Sequence, residues 1–248
     1  MDLKYLDGLN LPTLSGGSHD EGSEDLCIME AIAFIEREPH SDTPKCTAPE
    51  VAHFCQGLND AMPQEYKDKL WFYAERIAGT ASPEHTQERL DYLAQAACNK
   101  FAAMACEGII PPHFVTALRL AQTNDEIQTA IAAALDAAGA ADLVSDRVAR
   151  AARDAVRAVA LAAARAASRD ARAASCAAAR AALSAAARAS FCDIASIGTA
   201  RAAARAAAAL SVAAAWDVAL EVLDGLLEIG CVPKVFDAKR VEELIHES

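Results

Sequence analysis

Apolar residues recur along this chain at three- and four-residue spacings, broken by capping residues, glycines and prolines, which is the pattern of successive amphipathic helices. Ser23 before acidic Glu24 and Asp25 predicts the start of a helix carrying Leu26, Met29, Ile32 and Ile35, stopped before Pro39. Thr47 with Glu50 three residues later forms the pattern of a capping box, with Pro49 in the first turn, and predicts a helix to about Ala61. From Pro63 the stripe Tyr66, Leu70, Tyr73 and Ile77 predicts one helix ending at Gly79, read as a left-handed C-cap. Ser82-Pro83-Glu84 restarts the chain, and Leu90, Leu93, Ala97, Phe101 and Met104 continue a helical stripe to Gly108. A short helix through Phe114, Leu118 and Leu120 follows, and Thr123 with Glu126 is a second capping box, opening a helix that ends near Gly139. No run shows the two-residue alternation of a strand bounded by tight turns.

Beyond residue 146 the pattern changes. Residues 147–216 hold 35 alanines in 70 positions, with arginines returning mostly to one helical face. Alanine loses no rotamer freedom in a helix and lets neighbouring axes approach closely, so thin helices with sparse larger contacts are expected. An unbroken helix over 147–190 would run about 66 Å at about 1.5 Å per residue, so at least one break is expected, near Ser168. Residues 193–198 interrupt again. A helix through Trp216, Leu220, Leu223 and Leu227 ends at Gly230, and a last amphipathic helix covers 234–246. The fold class is all-α, a multi-helix bundle or stacked helical hairpins with a thin Ala-rich C-terminal half. Two domains are read, an acidic helical one over 1–140 with an irregular opening loop and an Ala-rich one over 141–248, either separate from the first or continuous with it.

Charge divides the chain further. Residues 1–146 carry a net −15, residues 147–216 a net +8 and residues 217–248 a net −5. Opposite signs attract partners or one another. Arg147, Arg150, Arg153 and Arg157 make a local basic row, a candidate interaction face expected to lie outside the alanine seams and to meet acids of the front half. No zinc-finger spacing or helix-turn-helix signature accompanies it, and the acidic front half opposes long-range attraction to nucleic acid, so a protein partner is the expectation. The recurring arginines speak against a membrane span, and the start Met1-Asp2-Leu3-Lys4 lacks the form of a secretory signal, so the expected location is the cytoplasm. Eight dispersed cysteines then read as free thiols.

Candidate chemistry concentrates near the N-terminus. His19, Cys27, Glu30 and Cys46 are potential metal ligands whose thiolate and imidazole donors suit zinc, although no Cys-x2-Cys or His-Glu-x2-His spacing supports a site. Cys46 beside Lys45, with His40 and Asp42 nearby, is the candidate for thiol catalysis. The structural alternative assigns the cysteines to the core, with the polar residues holding turns together. Gly16 and Gly17 lack the strand and the Gly-Lys-Ser/Thr ending of a phosphate loop, and Leu9, Leu11 and Leu14 are expected to anchor the opening loop.

Gly17-Ser18-His19, Cys27-Ile28-Met29-Glu30-Ala31 and Ser41-Asp42-Thr43-Pro44-Lys45-Cys46 together resemble an N-terminal segment of uncharacterised bacterial and phage all-helical proteins. The Ala/Arg-rich latter half is similar to theirs in composition. The resemblance implies a helical fold and a host-interaction or defence-related setting, and carries no activity with it. Two functions therefore stand open: a non-enzymatic helical interaction or inhibitory protein without cofactor, and a metal- or thiol-dependent enzyme centred on the N-terminal helices.

Overall fold

The computed structural model describes residues 11–23, 25–107, 110–140 and 199–247. The regular elements among these residues are all helices, with one isolated parallel bridge between Leu14 and Leu26. In chain order the α-helices are α1 (Ile28–Ile35), α2 (Pro49–Ala61), α3 (Gln64–Lys67), α4 (Ala74–Ala78), α5 (Thr86–Ala96), α6 (Ala103–Cys106), α7 (Pro112–Leu120), α8 (Asn124–Ala140), α9 (Thr199–Glu228) and α10 (Ala238–Glu247). A 3₁₀ stretch, Asp68–Tyr73, joins α3 to α4, and a π-helical stretch, Ala97–Ala102, joins α5 to α6. No described helix is long and apolar enough to cross a membrane.

Two compact units divide the chain, one formed by residues up to Thr86 together with Leu223 onward, the other by Gln87–Val222. The domain boundary read at 140 abuts residues 141–198, which lie outside the described residues. So do the four arginines from Arg147 to Arg157.

The first unit carries the candidate chemistry. Helix α1 is almost wholly buried because Ile28, Met29, Ile32 and Ile35 go inward, and its start is displaced from the sequence expectation. Ser23 caps nothing here; its Oγ accepts the Asp25 N–H at 3.1 Å. Cys27 is the N-cap, its Sγ accepting the Glu30 N–H at 3.4 Å while the Glu30 carboxylate accepts the Cys27 N–H at 2.8 Å. This is a capping box built on a thiol. Helix α2 follows the expected bounds, but Thr47 and Glu50 form no such box. The N-cap is Ala48, without a side-chain cap. Thr80, from a distant turn, supplies the missing acceptor: its Oγ1 takes the Ala48 N–H at 3.0 Å and donates to the Ile77 carbonyl at 2.7 Å.

The single helix expected from Pro63 to Gly79 is three pieces. Of the stripe, Tyr66, Leu70 and Ile77 are buried and Tyr73 is half-buried; Trp71 is buried beside them, whereas Phe72 is exposed. Gly79 is not left-handed, its C-cap φ being −85°. Its missing side chain admits backbone instead, since a Cβ there would sit 2.1 Å from the Val232 carbonyl oxygen. The strap from Cys231 to Asp237 lies along this end of α4, with Val232 N–H on Gly79 O at 3.0 Å and Lys234 N–H on Glu75 O at 3.1 Å. Gly230, by contrast, is left-handed at φ +61°, as a helix stop of this kind requires. The last helix begins at Ala238, after the strap, and buries Val241 and Leu244.

In the second unit the expected capping box at Thr123 forms, with Glu126 N–H on Thr123 Oγ1 at 3.3 Å and Thr123 N–H on Glu126 Oε2 at 3.0 Å. Leu90, Leu93, Ala97, Phe101 and Leu118 are core, while Leu120 is exposed on α7. The α7 and α8 surfaces leave an apolar groove between Phe114, Leu120 and Ala130.

Candidate functional site

The opening loop is irregular yet held at every few residues. Trp71 donates Nε1–H to the Pro12 carbonyl at 3.1 Å, and Gln64 donates Nε2–H to Leu14 O at 3.1 Å. Asn59, fully buried on α2, donates to Ser15 O at 2.6 Å, and Asp60 accepts the Gly17 N–H at 2.7 Å. Leu14 goes wholly inward, as expected of an anchor, and Leu11 is half-buried. A loop whose carbonyls and N–H groups are met by side chains of adjoining helical segments gives up little further entropy on binding.

Glu30 is the hub of this arrangement. It is 1% exposed, and its Oε1 accepts the His19 N–H at 2.8 Å. Its Oε2 accepts both the Cys27 N–H and the His19 ring at Nδ1, each at 2.8 Å. Burial alone would raise its pKa, but the N–H groups of Cys27 and His19 and the His19 ring outweigh burial and hold it below its ordinary range. The carboxylate is thus an ionised acceptor, which makes His19 Nδ1 the donor. His40 closes the cluster: its Nε2 lies 2.8 Å from the His19 carbonyl and 3.8 Å from Glu30 Oε1. A carbonyl can only accept, so His40 carries its proton on Nε2.

His19, Cys27, Glu30 and His40, separated by up to 21 residues in the chain, are therefore brought together. Cys46 and Asp42 are placed otherwise. Cys46 is buried, its N–H on Glu38 Oε1 at 2.8 Å and its Sγ 3.8 Å from Thr47 Oγ1. Burial, reinforced by Glu38 and Glu36, pushes its thiol up to about 11. The same cause pushes Cys27 up to about 12. Such thiols stay protonated near neutrality, the opposite of what a nucleophile needs. Asp42 contributes its carbonyl, which accepts from Gln56 Nε2 at 2.5 Å. The described cysteines are free, and among the described residues no three His, Cys, Asp or Glu side chains converge as a metal-ion ligand set.

Beside the cluster opens a cleft of about 290 Å³ that sequence reading missed. Glu21, Glu30 and Glu38 line it together with Leu26, Phe34 and Leu244, and His40 forms part of its wall. Arg240 lies over the Phe34 ring at 4.0 Å, donates to the Phe34 carbonyl at 2.7 Å and is ion-paired with Glu243. Its position 206 residues from Phe34 carries no local sequence signal; only the amphipathic period of the last helix hints at a surface to be covered. Comparison with known proteins found no matching family model, no similar curated protein and no similar solved structure.

Proposed function

We propose that this chain is a non-enzymatic helical interaction protein, in a host-interaction or defence-related setting, that presents its opening loop and the acids around it to a basic surface on another protein. The observation that carries this reading is the set of bonds on Glu30. A carboxylate already accepting two backbone N–H groups and an imidazole is a clamp for the loop, with little capacity left for a ligand or a substrate proton. The clamp fixes a segment whose Asp20, Glu21 and Asp25 are exposed. Fixed charges on a pre-ordered loop favour fast, oriented association with a partner of opposite sign.

Capture with the intact chain from a bacterial lysate, followed by titration of the recovered partner, tests this. Substituting Asp20→Asn, Glu21→Gln and Asp25→Asn together should weaken binding about ten-fold, and added salt should weaken it likewise. Absence of a saturable protein partner, or a partner indifferent to the triple substitution, overturns the reading. A second reading rests on His19, whose Nδ1–H bond to a buried carboxylate is the arrangement that orients metal-ligating and proton-transferring histidines. Zinc titration followed by elemental analysis examines it; stoichiometric retention lost on His19→Ala would favour it over the interaction reading.

A further inference from the structure

We propose that the ammonium of Lys67, where it emerges beside Gly16 of the opening loop, is a binding site for one carboxylate group. The site goes beyond the interaction reading and needs no partner protein to stand. Lys67 is the last residue of α3 and is only 8% exposed. Its side chain makes no hydrogen bond or ion pair among the described residues, yet its Nζ is not sealed from solvent. Lysines buried to this degree are ordinarily paired, because a cation withdrawn from water loses hydration that only an anion or well-placed acceptors replace. The group that Lys67 lacks is an acceptor of opposite charge arriving from outside.

Gly16 marks the point of arrival. A Cβ on Gly16 would lie 3.4 Å from Lys67 Nζ, 3.5 Å from Asp60 Cα and 3.7 Å from the Asn59 carbonyl oxygen. These are contact distances without a clash, and Gly16, unlike Gly17, is not left-handed, so neither space nor backbone demands glycine there. The missing side chain leaves the ammonium uncovered at an exposed turn. Gly16 N–H, in that turn, donates to no described residue. The Gly16-Gly17 pair has no lysine following it in the chain as a phosphate loop does; α3 brings one to it. Charge then selects the ligand. Lys67 offers one positive charge, and Asp60, whose Oδ1 holds the Gly17 N–H, keeps a negative one at the same turn without pairing to Lys67. A carboxylate forms a charge-assisted bond to the ammonium and meets that repulsion once, whereas a phosphate dianion meets it twice against the same single cation.

Amide-detected NMR titration of the intact chain with sodium acetate, set against sodium chloride at equal ionic strength, tests the site. Acetate should give saturable shifts centred on Gly16, Gly17 and Lys67, and chloride none. Lys67→Met, which keeps a stem and removes the ammonium, should abolish the saturable response. Gly16→Ala, whose methyl fits but covers the ammonium, should weaken it about three-fold or more, and keeps the test valid if Lys67→Met fails to fold. Methyl phosphate, dianionic near pH 8, should bind more weakly than acetate. Nα-acetyl-glutamate methylamide carries the same carboxylate on a protein-like stem: tighter binding than acetate assigns the site to an acidic side chain of a partner, weaker binding to a free small carboxylate, and both orders support it. No saturable shift at the three residues, an equal response to chloride, tighter binding of methyl phosphate, or a response unchanged in Gly16→Ala or in folded Lys67→Met each overturns the site. Its failure leaves the interaction reading standing, since capture and the substitutions at Asp20, Glu21 and Asp25 do not involve Lys67.

Discussion

Single side chains decide how the candidate site can act. Glu30→Gln keeps the shape but turns one oxygen into an N–H₂ group facing donors, so the clamp loses charge-assisted bonds and gains a repulsive contact; a loss of about 2–3 kcal/mol is expected in denaturant unfolding. The pH dependence follows from the same residue. A carboxylate whose folded pKa lies below its ordinary value of 4.5 contributes stability that is complete above that value and is lost as pH falls through the folded one. Melting temperature should therefore drop more steeply below pH 4.5 in the native chain than in Glu30→Gln; parallel curves would remove Glu30 from the account. The cysteines give the opposite kind of expectation. With thiols raised to about 12 and about 11, Cys27 and Cys46 should resist iodoacetamide at pH 8 in the folded chain and react after unfolding, as peptide mapping would show. His19, Cys27, Glu30 and His40 stand out in the sequence as polar or polarisable groups around an apolar run, but spacing does not say that they face one another as a clamp. Cysteine is not a usual N-cap, so the Cys27–Glu30 box is invisible to a search for Ser, Thr, Asp or Asn.

Helix ends show where local pattern suffices and where it gives way. Thr123 and Glu126 form the box that their spacing indicates because nothing else competes for them. Thr47 and Glu50, equally well spaced, do not, because the N-cap is Ala48 and Thr80, 32 residues away, takes its N–H at the α2 end. Thr80→Val, which removes both of its bonds while keeping its volume, should cost about 1–2 kcal/mol, and Thr80→Ser should be close to neutral. Equal costs for the two would mean that the methyl group, not the hydroxyl, matters there. Gly79 looks like a helix stop in the sequence, and it is one, for a reason no local pattern contains. Gly79→Ala should cost about 2–3 kcal/mol by forcing the strap away from α4, with faster amide exchange at Val232 and Lys234 as the diagnostic. A stability loss without faster exchange at those two amides would place the strain elsewhere.

At the scale of the molecule, helical class and most apolar stripes are legible because 3.6-residue periodicity is a local property. Which stripes meet is not, since the first unit closes only when residues beyond 222 return to those before 87. Phe236, Val241 and Leu244 are nearly fully buried, Lys234 pairs with Glu36, and Arg37 lies 3.3 Å from Asp237. The ion pairs are partly exposed and contribute little; the apolar contacts dominate. Three large side chains at roughly 1.5–3 kcal/mol each come to about 4.5–9 kcal/mol, comparable to the roughly 5–15 kcal/mol that holds a whole domain together. Removing residues 231–248 also strips the strap from Gly79 and Glu75 and takes Arg240 and Leu244 out of the cleft. The shortened chain should consequently lose exchange protection in α1 and α4, although both helices keep their full sequence. Retained protection in α1 together with an unchanged melting temperature would mean that the first 86 residues close their core unaided, and that the C-terminal segment covers the unit without completing it.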